Sequence, residues 1–186
     1  MYEIKDVRQI QSLASPMRQA IVDVLEAMGE SSAAELGKQL GCPADRLYYH
    51  LRALLRCGLV VEIEPRASHR GAHSKFKIAG RPTRLRYSLS DPKNRAAISR
   101  LVASLLRDAL RSFQRSLTPA AVVRGNRRTV LSGRRVAWLT PKELGDLNRL
   151  IAKTMEIMEQ RRPRKSRSQL YSFAFALSPF VGHGRR

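Results

Sequence analysis

The stretch from Ser31 to Val61, SSAAELGKQLGCPADRLYYHLRALLRCGLVV, leaves this chain few folds to choose from. Two short helical patterns flank Gly41-Cys42-Pro43, and the second runs almost at once into Leu59-Val60-Val61, which begins a strand. Ser32 stands where a helix cap belongs, Glu35 completes a capping box, and Leu36 and Leu40 supply an inward face. Gly41 ends that helix. Pro43 fits the first turn of the next one, where its missing N–H costs nothing. There Leu47, Leu51 and Leu54 recur at i, i+4 and i+7 and so share one face. At about 100° per residue the opposite side carries Asp45, Tyr49, Arg52 and Arg56, flanked by Arg46, Tyr48 and His50. Leucines inward and Arg/Tyr outward suit a helix that enters a major groove, so the spacing predicts a helix-turn-helix with residues 43–57 as its recognition helix.

An ordinary solvated helix surface is charged as well, so the rest of the chain must decide. Lys and Arg number 35 against 15 Asp and Glu among 186 residues, a formal net charge of +20. That imbalance points to a polyanion partner, with phosphate contacts supplying much of the affinity and its salt dependence. Anionic lipid or a ribosome would also attract such a chain, but neither calls for a helix-turn-helix pattern. Between Glu64 and Asp91 there is no acidic residue, whereas Arg66, Arg70, Lys75, Lys77, Arg81, Arg84 and Arg86 are basic. Leu59 to Glu64 and Leu85 to Leu89 read as the two strands of a wing, and Lys75-Phe76-Lys77-Ile78 as a short strand inside the long link. The one-sided charge assigns Arg66, Arg70, Lys75, Lys77 and Arg81 to the DNA backbone or minor groove.

Leu13-Ala14-Ser15-Pro16-Met17-Arg18, Ala34-Glu35-Leu36, and Tyr49-His50-Leu51-Arg52-Ala53-Leu54 running into Cys57-Gly58-Leu59-Val60 resemble the ArsR-type winged helix-turn-helix regulators of bacteria. The resemblance covers about the first 90 residues. It implies a dimeric transcription factor, but a sensing function does not carry over. Many ArsR-type proteins sense metals through paired cysteines in the recognition helix or acids and histidines on the dimer helix, and this sequence departs from both patterns. Cys42 and Cys57 sit at opposite ends of one helix, about 20 Å apart at about 1.5 Å per residue, and His69 and His73 lie in a loop with no acid nearby. No metal and no cofactor are expected. No phosphate-cradling glycine loop, nucleophile elbow or carboxylate pair suggests an enzyme.

Ahead of the reading helices, Val7, Ile10 and Leu13 suggest a short opening helix. Ser15-Pro16 then starts a scaffold helix in which Met17, Ala20, Ile21, Val24, Leu25 and Met28 keep helical spacing. Beyond the wing, Asp91-Pro92 opens a helix of about 25 residues carrying Ile98, Leu101, Leu105, Leu106 and Phe113. This apolar run exceeds what a small wing domain can cover and is expected to dimerise, bringing two recognition helices to half-sites about one DNA turn apart. Packing within its own chain is the alternative. Further on, Val136-Ala137-Trp138-Leu139 and Tyr171 to Leu177 have strand patterns. Between them, Thr140-Pro141-Lys142-Glu143 caps a helix with Leu144, Leu147, Leu150, Ile151, Met155 and Met158.

The expected fold is therefore α+β: a winged helix-turn-helix domain (1–91), a dimerisation helix (92–118), and a small strand-helix-strand unit (119–186) with a flexible tail. With no apolar run of signal-peptide or membrane-span type, a cytoplasmic protein is expected. The expected function is a homodimeric DNA-binding transcriptional regulator. Two alternatives stay open: a winged helix for non-specific nucleic acid or RNA, and an effector-gated regulator with a ligand near Trp138, Tyr171 and Phe173. Core packing is the plainer role for those aromatics.

Overall fold

The computed structural model describes residues 2–63, 74–81, 83–160 and 169–180. The chain divides into two compact units, one of residues 1–105 and one beginning at Leu106.

In the first unit β1 (Tyr2–Ile4) leads into α1 (Val7–Leu13), whose start is capped by the Asp6 carboxylate accepting from the Arg8 N–H. Next comes α2 (Pro16–Met28), with Ser15 at the cap and Pro16 in the first turn. It buries Ile21, Val22, Val24 and Leu25, whereas Met28, expected inside, is exposed. A two-residue strand β2 (Ser31–Ser32) precedes α3 (Ala33–Leu40) and α4 (Ala44–Arg56), the predicted pair. The capping box forms as expected: Glu35 N–H donates to Ser32 Oγ (3.2 Å), and Ser32 N–H donates to Glu35 Oε2 (2.7 Å).

The turn between α3 and α4 depends on two glycines. Gly41 adopts the left-handed conformation at φ 69°, which a side chain would strain. Gly37 lies against the next segment, and a Cβ there would come within 2.6 Å of the Cys42 carbonyl oxygen. Pro43 is the cap residue of α4 (φ −59°, ψ 142°) and not its first helical residue. A proline suits either place, because neither needs its N–H.

The wing differs from expectation in its second strand. β3 (Val60–Ile63) pairs antiparallel with β4 (Lys75–Ile78), which also pairs with β2, giving the order β2-β4-β3. Phe76 and Ile78 turn into the core and Lys75 and Lys77 outward. That alternation makes residues 75–78, and not 85–89, the natural partner of β3. β5 (Thr83–Leu85) instead pairs in parallel with β1, and Tyr87 and Leu89 are exposed.

α5 (Pro92–Ser116) buries Asn94, Ala97, Ile98, Leu101 and Ser104. Ile98 and Leu101, at 8% and 5% exposure, belong to the same apolar core as Leu25, Leu36, Leu51 and Phe76. Their assignment to a dimer interface is thereby corrected. The domain needs the first half of α5 to close its own core, and a regular apolar periodicity does not distinguish that use from an intermolecular one.

In the second unit, α6 (Pro141–Glu159) has the expected capping box of Thr140 and Glu143. It buries no residue. The two strands expected around it are absent: among the described residues no strand follows Leu85, and residues 136–139 and 171–177 are irregular. Alternation specifies a face but supplies no neighbouring edge, and an unpaired strand leaves its backbone groups to water.

Candidate nucleic-acid interface

α4 owes its orientation to both of its faces. Leu47, Leu51 and Leu54 are buried almost completely, so the helix cannot roll without exposing them. Its C-terminal end is held as well: Tyr2 Oη donates to the Gly58 carbonyl (2.9 Å), and Gln9 Nε2 donates to Tyr2 Oη and to the Cys57 carbonyl (2.9 Å each). These bonds tie β1 and α1 to the C-terminal end of α4. Sequence periodicity gave no sign of them, because they depend on a strand of three residues finding its partner some 80 positions later.

With the leucines fixed, Arg46, Tyr48, Tyr49, Arg52 and Arg56 all reach solvent, Tyr49 at 69% exposure. Arg56 is folded back along the helix, its Nε donating to the Arg52 carbonyl at 3.3 Å. His50 is the exception on this helix. It is half-buried, its ring meets that of Tyr49 edge-on at 5.3 Å between centroids, and its Nδ1 is buried without a hydrogen-bond partner. Burial holds its pKa below the ordinary value, and the nearby Arg18 charge pushes the same way. Neutral imidazole is therefore the favoured form, and His50 is a wall of the helix more than a cationic contact.

On the wing, Lys75 and Lys77 are exposed, and Arg81 is partly so. Arg66 and Arg70 lie outside the described residues. Arg86 pairs with Glu3 on β1 at 3.1 Å and so belongs to the β1–β5 side of the domain. Along α5, Leu105 and Phe113 are half-buried, while Leu106 and Leu110, and Leu117 just past the helix end, are exposed.

Among the described residues no group of three His, Cys, Asp or Glu could hold a metal ion. His69 and His73 lie outside them. Cys42 and Cys57 are both free and half-buried, and Cys57 Sγ donates to the Leu54 carbonyl at 3.4 Å. Trp138 is fully exposed, and Tyr171 and Phe173 nearly half so, which corrects their expected role in a core. No described helix is long and apolar enough to cross a membrane.

Residues 13–63 match the family model of the helix-turn-helix domain. That segment spans α2, α3, α4 and β3, from the scaffold helix to the first strand of the wing. No curated protein matches the chain in sequence. Among solved structures, the multiple antibiotic-resistance repressor (MarR) of Listeria monocytogenes is similar at 17% identity and a TM-score of 0.30, over 82% of this chain and 84% of that one. RV1404 of Mycobacterium tuberculosis is similar at 14% identity and a TM-score of 0.31, over 80% and 81%.

Proposed function

We propose that this protein is a DNA-binding transcriptional regulator of the ArsR-like winged-helix kind, acting as a homodimer and carrying no catalytic step. The observation that supports it best is the division of α4. Three leucines lock one side into the core of a helix-turn-helix domain, while Arg46, Tyr48, Tyr49, Arg52 and Arg56 stand on the other. In this reading α4 enters the major groove, where arginine forks pair with guanine edges. Lys75, Lys77 and Arg81 grip phosphates from the wing, and Arg66 and Arg70 extend that grip. Dimerisation falls to the later part of α5, where Leu105, Leu106 and Phe113 stand with the exposed Leu110, and to Leu117 just past its end. A two-fold axis there would set two α4 helices on half-sites about one DNA turn apart.

The test is retention of random duplexes by the purified protein, with the retained pool sequenced at two salt concentrations. A near-palindromic motif is expected. Length-dependent binding that salt erases and that enriches no motif would overturn sequence reading and leave a non-specific binder driven by the +20 charge. On the recovered site, Arg52→Ala should relax preference at one base position by about 1–3 kcal/mol, while Lys77→Ala weakens all sequences alike and lowers the salt slope by about one unit. Equal losses on specific and random DNA would show that α4 and the wing do not divide the work.

A further inference from the structure

The flank of α4 that carries Ala53, Arg56 and Cys57 faces α1 and the start of α2 across a cleft of about 440 Å³. Its walls are cationic. Arg8, Arg18 and Arg56 all line it, and the single carboxylate there, Asp6, is already engaged by Arg8 at 3.1 Å. Two donors of the lining residues, one of them on Arg18 itself, have no partner. The Nε of Arg18 and the hydroxyl of Ser12 are both buried without a hydrogen-bond partner, and Ser12 is only 9% exposed.

A buried donor left unsatisfied is costly, more so when charged, so a cleft in which the Arg18 Nε and the Ser12 hydroxyl are unbonded, and the one carboxylate is taken by Arg8, lacks an acceptor. A cation is repelled from such a site, and an apolar ligand would leave both donors unbonded. An oxyanion answers every feature: it brings negative charge, several acceptor lone pairs, and a planar or tetrahedral set of oxygens that matches guanidinium forks.

We propose that this cleft is a binding site for an oxyanion, a phosphate or carboxylate group held by Arg18, Arg56 and the Ser12 hydroxyl. Arg56 also stands at the edge of the outward face of α4, so its guanidinium has two destinations. A free anion in the cleft draws Arg56 away from DNA and weakens duplex binding. A phosphate of the duplex itself has the same chemistry, and in that case Arg18 is an additional backbone anchor. The site stands on the cleft alone, whereas its coupling to DNA rests on the function proposed above.

The deciding experiment is calorimetric titration of the full chain with inorganic phosphate at fixed ionic strength and without DNA. Wild type is compared with Arg18→Gln, Ser12→Ala and, as a control for general basicity, Arg128→Gln from the second unit, with thermal melts confirming that each variant folds. One phosphate per chain is expected in wild type, weakened roughly tenfold by Arg18→Gln and several-fold by Ser12→Ala, and unchanged by Arg128→Gln. A duplex arm separates the two sources. If the ligand is a free anion, exchanging chloride for phosphate at constant ionic strength weakens duplex binding by wild type and leaves Arg18→Gln unaffected. If it is a DNA phosphate, Arg18→Gln itself lowers duplex affinity several-fold and reduces the salt slope by about one unit. Equal phosphate affinity in all four proteins, or no phosphate binding together with unaltered duplex binding by Arg18→Gln, would overturn the proposal. Because the phosphate titration contains no DNA, its failure is distinct from failure of the DNA-binding reading.

Discussion

α4 and α6 are both amphipathic, and of the two it is α6 that has the better local helix signals. Thr140 and Glu143 close a complete capping box on α6 with Pro141 in its first turn, whereas α4 starts at Pro43 with no side-chain cap at all. Yet α4 buries Leu47, Leu51 and Leu54 and α6 buries nothing. Caps and propensity decide where a helix begins; a partner surface decides whether its apolar side does any stabilising. Residues 1–105 supply that surface from α1, α2, α3, the first half of α5 and the wing sheet, all meeting at one cluster.

The sharpest way to break this contrast is to remove one leucine from each helix. Leu51→Ala should cost about 2–5 kcal/mol in urea unfolding, through lost burial and the cavity left behind. Leu150→Ala on α6, where the side chain is 64% exposed, should stay within about 0.5 kcal/mol. Equal losses would mean that α6 is packed in solution, and analytical ultracentrifugation of both variants would then show whether a second copy covers it.

Next in size is Gly37→Ala. The added methyl has to displace the backbone of the α3–α4 turn, since the atoms it meets are the Cys42 carbonyl oxygen at 2.6 Å and the Ala44 nitrogen at 3.3 Å. A loss of about 1–3 kcal/mol is expected, with duplex affinity falling as α4 shifts. Gly145→Ala is the matching change on α6, where a Cβ meets nothing within 4 Å. It should be neutral or slightly stabilising, because alanine is the better helix former.

A smaller difference separates the two capping boxes. Ser32→Ala should lower the stability of the first unit by about 1 kcal/mol. It removes the hydroxyl contact to Glu35 but keeps the Ser32 N–H, which chiefly holds that carboxyl below its usual range. A depressed carboxyl stabilises the fold above its unfolded pKa and loses that contribution as pH falls, so the variant, which keeps the main contact, should retain most of the acid limb. Thr140→Ala should shorten α6, seen as lost helical circular dichroism, and leave the cooperative transition of the first unit unmoved.

The same contrast explains how far the sequence could be read. The capping box of Ser32 and Glu35, the stop at Gly41 and the burial of Leu47, Leu51 and Leu54 follow from local pattern, and all are present. The second wing strand is not legible from pattern, because Leu85, Tyr87 and Leu89 alternate as well as Phe76 and Ile78 do, and only pairing with β3 separates them. For Ile98 and Leu101 periodicity points equally to a partner and to the chain's own core, because it shows an apolar side without saying what covers it. Of the positively charged cleft, only Arg56 could be singled out beforehand; Arg8, Ser12 and Arg18 become neighbours of α4 only when the α1–α2 turn folds back onto it.

The smallest expected effect lies at His50, on the border between the packed and exposed sides of α4. Desolvation first, and then the Arg18 charge, lower its folded pKa below the ordinary value. An unfolded chain therefore takes up a proton at His50 at a pH where the folded one resists it, and stability falls as pH drops below about 6.5. Above that value both states are neutral and His50 contributes no slope. In His50→Gln that part of the acid slope should disappear, so the difference between variant and wild type is flat above about pH 6.5 and turns in the variant's favour below it. Urea midpoints measured from pH 7.5 to 5 would show this, ahead of the range in which carboxylates titrate. A difference that does not change with pH would mean that the His50 ring is solvated in the folded protein, and that the packed side of α4 stops short of it.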